Sequence, residues 1–207
     1  QIYGLTESCG PACVISAENA LKKIGSTGRP FFHTDARVVN TAGNDCVPGE
    51  QGEVWISGKH VMLEYWNRPE ATAETITADG WLRTGDVACV DEEGFIYIQD
   101  RIKDMIISGG ENVYPAEIEN VILAHAGVTE VAVIGQPSDI WGESPFAVVV
   151  RNEDSLTEAD IVNHCDGKLA RFKLPKGVTF IDAIPRNANG KVLKKDLRKQ
   201  FPGPATD

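Results

Sequence analysis

The chain has 207 residues, of which 42% are hydrophobic and 24% are charged, and its formal net charge is −10. This length and composition indicate a globular protein of one large or two small domains and exclude an intrinsically disordered chain. The acidic balance argues against a general nucleic-acid binder, because such proteins need a cationic surface that displaces counterions from phosphates.

Neither a membrane span nor a secretory signal is evident in the sequence. No apolar run approaches the roughly 20 residues that cross a bilayer, and we therefore expect a cytoplasmic protein. The five cysteines are odd in number and lack a CxxC or cysteine–histidine cluster. Reduced thiols are favoured over a disulfide framework or a zinc site.

The chain starts abruptly, with an apolar pair that runs into a polar turn, as if it were cut from a longer protein. Tyr3 beside Gly4 offers a flat aromatic face next to uncrowded backbone. Thr6 and Glu7 supply a hydroxyl and a carboxylate suited to a phosphate or its Mg²⁺. Taken alone, this pattern is more simply a strand end followed by a turn.

Residues 37–98 consist mostly of short apolar runs between Gly, Pro, Asn and Asp clusters, which predicts a small antiparallel β-sheet or barrel. One helix is expected over 69–77, because Pro suits its first turn. The turn that ends at Gly94 should join two strands as a hairpin. At a second turn, Asp86 could accept two hydrogen bonds from a ribose diol or be an ordinary turn residue.

The predicted secondary structure changes at the segment 94–119, from mostly strands before it to alternating helices and strands after it. A β-prone run, 95–98, stops at the charged block 100–104, and a short apolar run then ends at Ser108 and two glycines. A helix should begin near Pro115. The segment therefore predicts a strand, a charged junction, a glycine turn and a helix.

The chain beyond the junction alternates helices and strands, which predicts an α+β unit of about 100 residues with a three-stranded sheet. The predicted elements are a helix with Ile118, Val121 and Ile122 on one face, strands at 128–134, 145–150 and 178–181, and a helix capped by Thr157 with Ile161, Val162, Cys165 and Leu169 in its buried stripe.

A polar loop precedes the last predicted helix, 192–201, and carries Lys191 at its tip or at the helix entrance. A lysine on such a loop can be delivered to an anion. The following cations are interpreted as a solvated basic face, and 202–207 as a frayed tail. These cations are Lys194, Lys195, Arg198 and Lys199.

In their order and spacing, six motifs resemble the ANL adenylate-forming superfamily, and within it an acyl-CoA synthetase of the fatty-acid or coumarate-CoA ligase type. The resemblance covers essentially the whole chain. It implies that 1–99 is the mostly β remnant of a large N-terminal domain, residue 100 a hinge and 101–201 a mobile lid. The motifs lie at 3–7, 52–58, 80–86, 100–103, 109–119 and 190–191.

The family forms an acyl-adenylate from a carboxylic acid and MgATP, releases pyrophosphate, and passes the acyl group to CoA. The resemblance thus implies ATP, Mg²⁺, CoA and a carboxylic acid, here a fatty acid, as ligands, and no nucleic acid. It implies these roles: Tyr3 and Ile98 against adenine, Thr6 near phosphate, Glu7 on Mg²⁺, Asp86 and Arg101 on ribose, Asn112 in the nucleotide site, Lys191 as catalytic lysine, Asp100 as hinge, and Ser108, Gly109 and Gly110 along the CoA channel.

The sequence also departs from the family pattern. Ile107 replaces a lysine, and Asn112 replaces a glutamine, of the coumarate-CoA ligases. The phosphate-gripping loop of the family would lie before Tyr3, so we expect the chain alone not to catalyse adenylation. Alternative interpretations are an adenylation domain that loads a carrier protein and a non-catalytic interaction module. A luciferase-like oxygenase is a further alternative, but no residue in the sequence supports it.

Overall fold

The structure, a computed structural model, describes residues 1–203. It divides into two units, one ending at Ile102 and the other beginning at Lys103. Of the predicted tail 202–207, residues 204–207 lie outside the described range. Within that range, no helix is long and apolar enough to cross a membrane.

The first unit contains two antiparallel sheets, one of three strands in the order β1-β2-β3 and one of four in the order β4-β5-β6-β7. The predicted sheet is therefore confirmed, and it is open, with β4 and β7 at its edges. The strands are β1 (Ile2–Tyr3), β2 (Cys13–Val14), β3 (Arg29–Pro30), β4 (Asp35–Val39), β5 (Gln51–Ser57), β6 (Leu82–Val90) and β7 (Ile96–Arg101).

The core of the first unit follows from the two-residue period of its strands. Val54 and Ile56 of β5 are fully buried and pack with Leu82 of β6 and Ile96 of β7. Two short helices interrupt the strands, α1 (Ala17–Ala20) and α2 (Pro69–Thr75). The helix predicted over 69–77 is thus present and ends two residues earlier, whereas α1 was not predicted.

The β6–β7 hairpin turns through Gly94, whose φ of 78° suits glycine. The Asp91 carboxylate accepts the N–H groups of Glu93 and Phe95 at 2.9 Å and the Lys23 ammonium at 2.7 Å. Burial pushes the pKa of Asp91 up, but the hydrogen bonds from Lys23 and the main chain outweigh it, so this pKa lies below its ordinary value.

We expect Asp91→Ala to lower the free energy of unfolding by about 1 to 3 kcal/mol at pH 7, because two main-chain donors lose their acceptor. A carboxyl whose pKa is lowered by folding stabilises the fold above its unfolded pKa of about 3.9. That contribution is lost as the pH falls through the folded pKa. Denaturant titrations should therefore show the gap between wild type and variant closing below about pH 4; a constant gap would contradict the assignment.

The second unit is built on a five-stranded sheet in the order β10-β11-β8-β9, with β12 parallel to β11. The three predicted strands are present, and the α+β class is confirmed. The sheet has five strands rather than three, because the runs on either side of the glycine turn pair as a further hairpin. The strands are β8 (Ile106–Ser108), β9 (Glu111–Val113), β10 (Val128–Ser138), β11 (Gly142–Arg151) and β12 (Gly177–Phe180).

Helices cover both faces of this sheet, because alternate residues of β10 and β11 point to opposite sides. One face packs against α3 (Pro115–Leu123) and α4 (Glu158–Cys165), and the other against α5 (Lys194–Gln200). As predicted, Thr157 caps α4: its hydroxyl accepts the Asp160 N–H, and the Asp160 carboxylate accepts in return. Ile161 and Cys165 of α4 are buried, and Val162 packs partly buried beside them.

The cations of α5 form the solvated face that their spacing predicted only in part. The Lys194 ammonium lies 2.8 Å from a Glu119 carboxylate oxygen and is 14% exposed, and Arg198 bonds Asp104 at 3.0 Å. Helical spacing places these residues but does not tell which of them meets an acid from another element. Of these four cations, Lys195 and Lys199 are exposed.

Candidate active site

Three predicted nucleotide-binding residues meet around the Asp86 carboxylate in the first unit. The Tyr3 hydroxyl donates to one Asp86 oxygen at 2.7 Å, and Arg101 Nε lies 3.0 Å from the other. Strand pairing explains the second contact, because Asp86 of β6 stands opposite Arg101 of β7. Tyr3 is 83 positions from Asp86 in sequence, so only the packing of the two sheets brings them together.

The electrostatics of this cluster favour a neutral Tyr3 phenol beside the Asp86 side chain. Burial and the neighbouring Asp86 charge raise the pKa of Tyr3 far above its ordinary value. The phenol therefore stays protonated and donates to Asp86, whose side chain is only 9% exposed. A carboxylate offers about four acceptor positions, so Asp86 retains capacity for a further donor such as a ribose hydroxyl.

Thr6 and Glu7 lie in a 3-10 turn, Thr6–Ser8, directly after β1. One Glu7 carboxylate oxygen accepts the Tyr65 hydroxyl at 2.8 Å, while Thr6 is exposed. The tightness of the segment demands glycine at position 4, since a Cβ there would lie 2.4 Å from the Gly10 carbonyl oxygen. Tyr65 was missed from the sequence, because nothing local connects it to Glu7.

Glu7 is a suitable single carboxylate for Mg²⁺, which in nucleotide sites takes one or two protein carboxylates and otherwise phosphates and water. Among residues 1–203 there is no group of three or more His, Cys, Asp or Glu that could hold a metal by itself. The chemistry of the donor therefore fits a cation that arrives with phosphates.

Ile98 and Asp100 lie on β7, next to the Asp86 cluster. Ile98 pairs with Ala88 and packs, partly buried, against the core of the first unit. Asp100 is half-buried, and its carboxylate accepts the N–H of Arg101 at 2.7 Å. The first unit ends two residues later, at Ile102. The hinge role of Asp100 stays a prediction.

In the second unit, the predicted CoA-channel residues form the turn of the β8–β9 hairpin. Gly109 and Gly110 have φ of 63° and 85° and are exposed, whereas Ser108 is buried. The Ser108 hydroxyl has no hydrogen-bond partner in the part of the chain that the structure describes. Asn112 is exposed and stands opposite Ile107 across the hairpin.

Trp141 lies against this turn, and sequence reasoning missed it. Its carbonyl accepts the Gly109 N–H at 2.8 Å, and a Cβ on Gly109 would lie 2.7 Å from its ring. The Lys176 ammonium lies 5.9 Å from the centre of the same ring. The turn thus presents exposed backbone beside a 41% exposed aromatic side chain and a cation.

Lys191 is exposed at the end of a tight loop in the same unit. The Asn187 side-chain oxygen accepts the N–H groups of Asn189 at 3.0 Å and Lys191 at 2.9 Å, and Gly190 has a φ of 80°. The loop is therefore ordered by its own hydrogen bonds, with the lysine side chain at its surface.

Two family models match the chain, that of the AMP-binding enzyme at 1–66 and that of the AMP-binding enzyme C-terminal domain at 117–191. Together they cover more than half of it. The chain belongs to the AMP-binding enzyme family. This membership confirms the resemblance to the ANL adenylate-forming superfamily that the order of the motifs predicted.

Several AMP-binding enzymes are similar over nearly the whole chain. The long-chain-fatty-acid–CoA ligase FadD13 of Mycobacterium tuberculosis is 53% identical over 97% of the chain and 40% of the relative. Feruloyl-CoA synthase of an Amycolatopsis species is 46% identical over 97% and 41%, respectively. The o-succinylbenzoate-CoA synthetase MenE of Bacillus subtilis, solved with its acyl-adenylate, superposes with a TM-score of 0.90 at 39% identity, over 96% of the chain and 40% of that structure. The chain thus spans about two fifths of the length of these AMP-binding enzymes.

We expect Gly109→Ala to destabilise the second unit more than Gly110→Ala. Both substitutions place a side chain at positive φ, which costs about 1 to 2 kcal/mol. Only the Cβ at position 109 would also collide with the Trp141 ring, since nothing lies within 4 Å of the other. Denaturant unfolding of the two variants measures the difference. Equal losses would show that Trp141 does not restrict the space beside Gly109.

Proposed function

We propose that this chain is part of an ATP-dependent acid–CoA ligase that forms an acyl-adenylate and passes the acyl group to CoA. The observation that carries the proposal is the cluster of Tyr3, Asp86 and Arg101, a hydrogen-bonding site suited to a nucleoside. It occurs in a chain that is similar to a long-chain-fatty-acid–CoA ligase and to a feruloyl-CoA synthase. MenE has also been solved with ATP and a magnesium ion. Because the chain covers about two fifths of these relatives, the activity is proposed for the full-length protein.

The nucleotide end of the reaction is assigned to the first unit. Asp86 accepts the ribose hydroxyls, Arg101 holds Asp86 and reaches the ribose, and the Tyr3 ring offers its face to adenine, with Ile98 beside it. Thr6, which is exposed, would lie near the phosphates, and Glu7 would supply a carboxylate to Mg²⁺. When bound, Mg²⁺ offsets negative charge on the phosphate oxygens.

The adenylation step is assigned to Lys191. The acid carboxylate attacks the α-phosphate, pyrophosphate leaves, and negative charge gathers on the oxygens around phosphorus. A positioned ammonium offsets that charge, and losing one such donor typically costs about 3 kcal/mol, a rate factor of 10² to 10³. The hydrogen bond to Asn187 fixes the backbone at the surface position from which the Lys191 side chain extends.

The thioester step is assigned to the glycine turn. A thin pantetheine arm can run along exposed backbone where side chains are absent, and Gly109 and Gly110 offer such backbone. The Trp141 ring packs against one side of the turn, at Gly109. Lys176, whose ammonium lies near that ring, is a cation suited to the phosphates of CoA. We propose that rotation about Asp100 exchanges this turn for Lys191 between the two steps, with a few residues absorbing the change in φ and ψ.

The acid is proposed to be a fatty acid, because the relative with 53% identity is a long-chain-fatty-acid–CoA ligase. Aromatic acids are the alternative, since feruloyl-CoA synthase and 2-succinylbenzoate–CoA ligase share 46% and 45% of their aligned residues with the chain. A carrier-protein acceptor is less well supported, because each of these three relatives is named for CoA.

In the full-length protein, we expect Lys191→Ala to lower the adenylation rate by a factor of about 10² to 10³. Thioester formation from a supplied acyl-adenylate should stay near the wild-type rate, because in the proposed mechanism the glycine turn has replaced Lys191 before that step. Pyrophosphate release and single-turnover acyl-CoA formation report the two steps separately. Equal loss of both would contradict the role assigned to Lys191.

The 207-residue chain alone is expected to show no acid-dependent exchange of label between pyrophosphate and ATP. Binding of AMP through the Asp86 cluster should nevertheless be detectable by calorimetry, and Asp86→Ala should remove it. Arg83→Ala is the matched control, because the ion pair described for Arg83 is with Glu53, at 3.1 Å, and not with Asp86. Exchange activity of the isolated chain would contradict the proposal that adenylation needs the full-length protein.

A further inference from the structure

The loop that carries Lys191 is attached to the sheet of its unit through one side chain that the proposed function has not used. Arg186 precedes the loop and forms a bridge with Val192 across it. Its guanidinium reaches two elements at once: Nη2 lies 2.6 Å from a Glu130 carboxylate oxygen, and Nη1 donates to the Gly190 carbonyl at 2.8 Å. Glu130 belongs to β10, so Arg186 connects the loop to the central sheet.

The peptide bond before Lys191 is consequently held at both of its polar groups. Its carbonyl, that of Gly190, accepts from Arg186, and its N–H, that of Lys191, donates to the Asn187 side chain at 2.9 Å. A peptide unit is planar, so fixing both groups fixes its orientation. That orientation sets the direction in which the Lys191 side chain leaves the backbone.

The contribution of Arg186 to overall stability should be small. Its side chain is 44% exposed and that of Glu130 is 37% exposed, and ion pairs at such exposure contribute little to the free energy of folding. The planar guanidinium nevertheless presents several donors in fixed directions, which a lysine cannot imitate. The arrangement is thus better suited to fixing geometry than to stabilising the fold.

We propose that Arg186 is a positioning residue for Lys191, and that Glu130 fixes Arg186 for this task. The inference rests on the proposed role of Lys191 in adenylation. A misplacement of about 1 Å at a reacting group can cost a factor of 10² in rate. Losing the Arg186 bond to the Gly190 carbonyl should therefore slow the step that uses Lys191 and spare the step that does not.

The chain offers a closely matched control. Arg151 also bonds a main-chain carbonyl and a carboxylate: Nη1 donates to the Leu156 carbonyl at 2.8 Å, and Nη2 lies 3.3 Å from Asp154. It belongs to the same unit, and the hydrogen bond and ion pair described for it are with residues outside 187–191. Arg151→Lys therefore makes the same chemical change away from the loop.

The test compares Arg186→Lys, Glu130→Gln and Arg151→Lys in the full-length protein. We expect Arg186→Lys to lower the adenylation rate by a factor of about 10 to 10² and Glu130→Gln to lower it less. Thioester formation from supplied acyl-adenylate should stay within about twofold of wild type, as should both steps in Arg151→Lys. Equal slowing of both steps by Arg186→Lys would overturn the inference. Unchanged adenylation in Arg186→Lys would also overturn it, provided that Lys191→Ala abolishes adenylation in the same protein.

A second measurement does not depend on catalysis. Hydrogen exchange of peptides that cover 187–193, followed by mass spectrometry, should be faster in Arg186→Lys and unchanged in Arg151→Lys. Unchanged exchange in Arg186→Lys would overturn the inference. If Lys191→Ala keeps full adenylation, the role proposed for Lys191 is wrong. Faster hydrogen exchange in Arg186→Lys would then still show that Arg186 orders the loop.

Discussion

The Asp86 carboxylate imposes the strongest constraint on the first unit. A buried carboxylate is costly unless it is paired, and here the Tyr3 hydroxyl and the Arg101 guanidinium satisfy one oxygen each. The same pairing ties the first strand of the chain to the last two strands of the four-stranded sheet. Stability and proposed nucleotide recognition thus depend on one group, because a ribose must join hydrogen bonds that already hold the unit together.

The second unit relies on control of the backbone rather than on a buried charge. Its two proposed working surfaces, the glycine turn and the Lys191 loop, both contain glycine at positive φ, and each is linked to a residue distant in sequence, the turn to Trp141 and the loop, through Arg186, to Glu130. Trp141 bonds the turn, and Arg186 bonds the loop. Each surface is therefore exposed and yet ordered, as a site must be if it is to meet a ligand without first paying the entropy of ordering.

The family and the fold class follow from local patterns and their order. Alternating strands, the Pro-initiated helices α2 and α3 and the capping box of Thr157 all depend on residues within a few positions of one another. The β8–β9 hairpin is the exception. Its strands have three residues each, too short for a periodic signal, and β8 joins the sheet through the single pair Ser108–Gly142.

By itself, the sequence determined the family, the α+β class and the candidate residues, because these depend on residue type and spacing along the chain. Tertiary structure alone decided which candidates meet. Tyr3 joins Asp86 across two sheets, Trp141 lies on Gly109, and Lys194 of the expected solvated face pairs with Glu119. These contacts depend on strand register and on how layers pack, and such long-range geometry is not encoded in the neighbourhood of either partner.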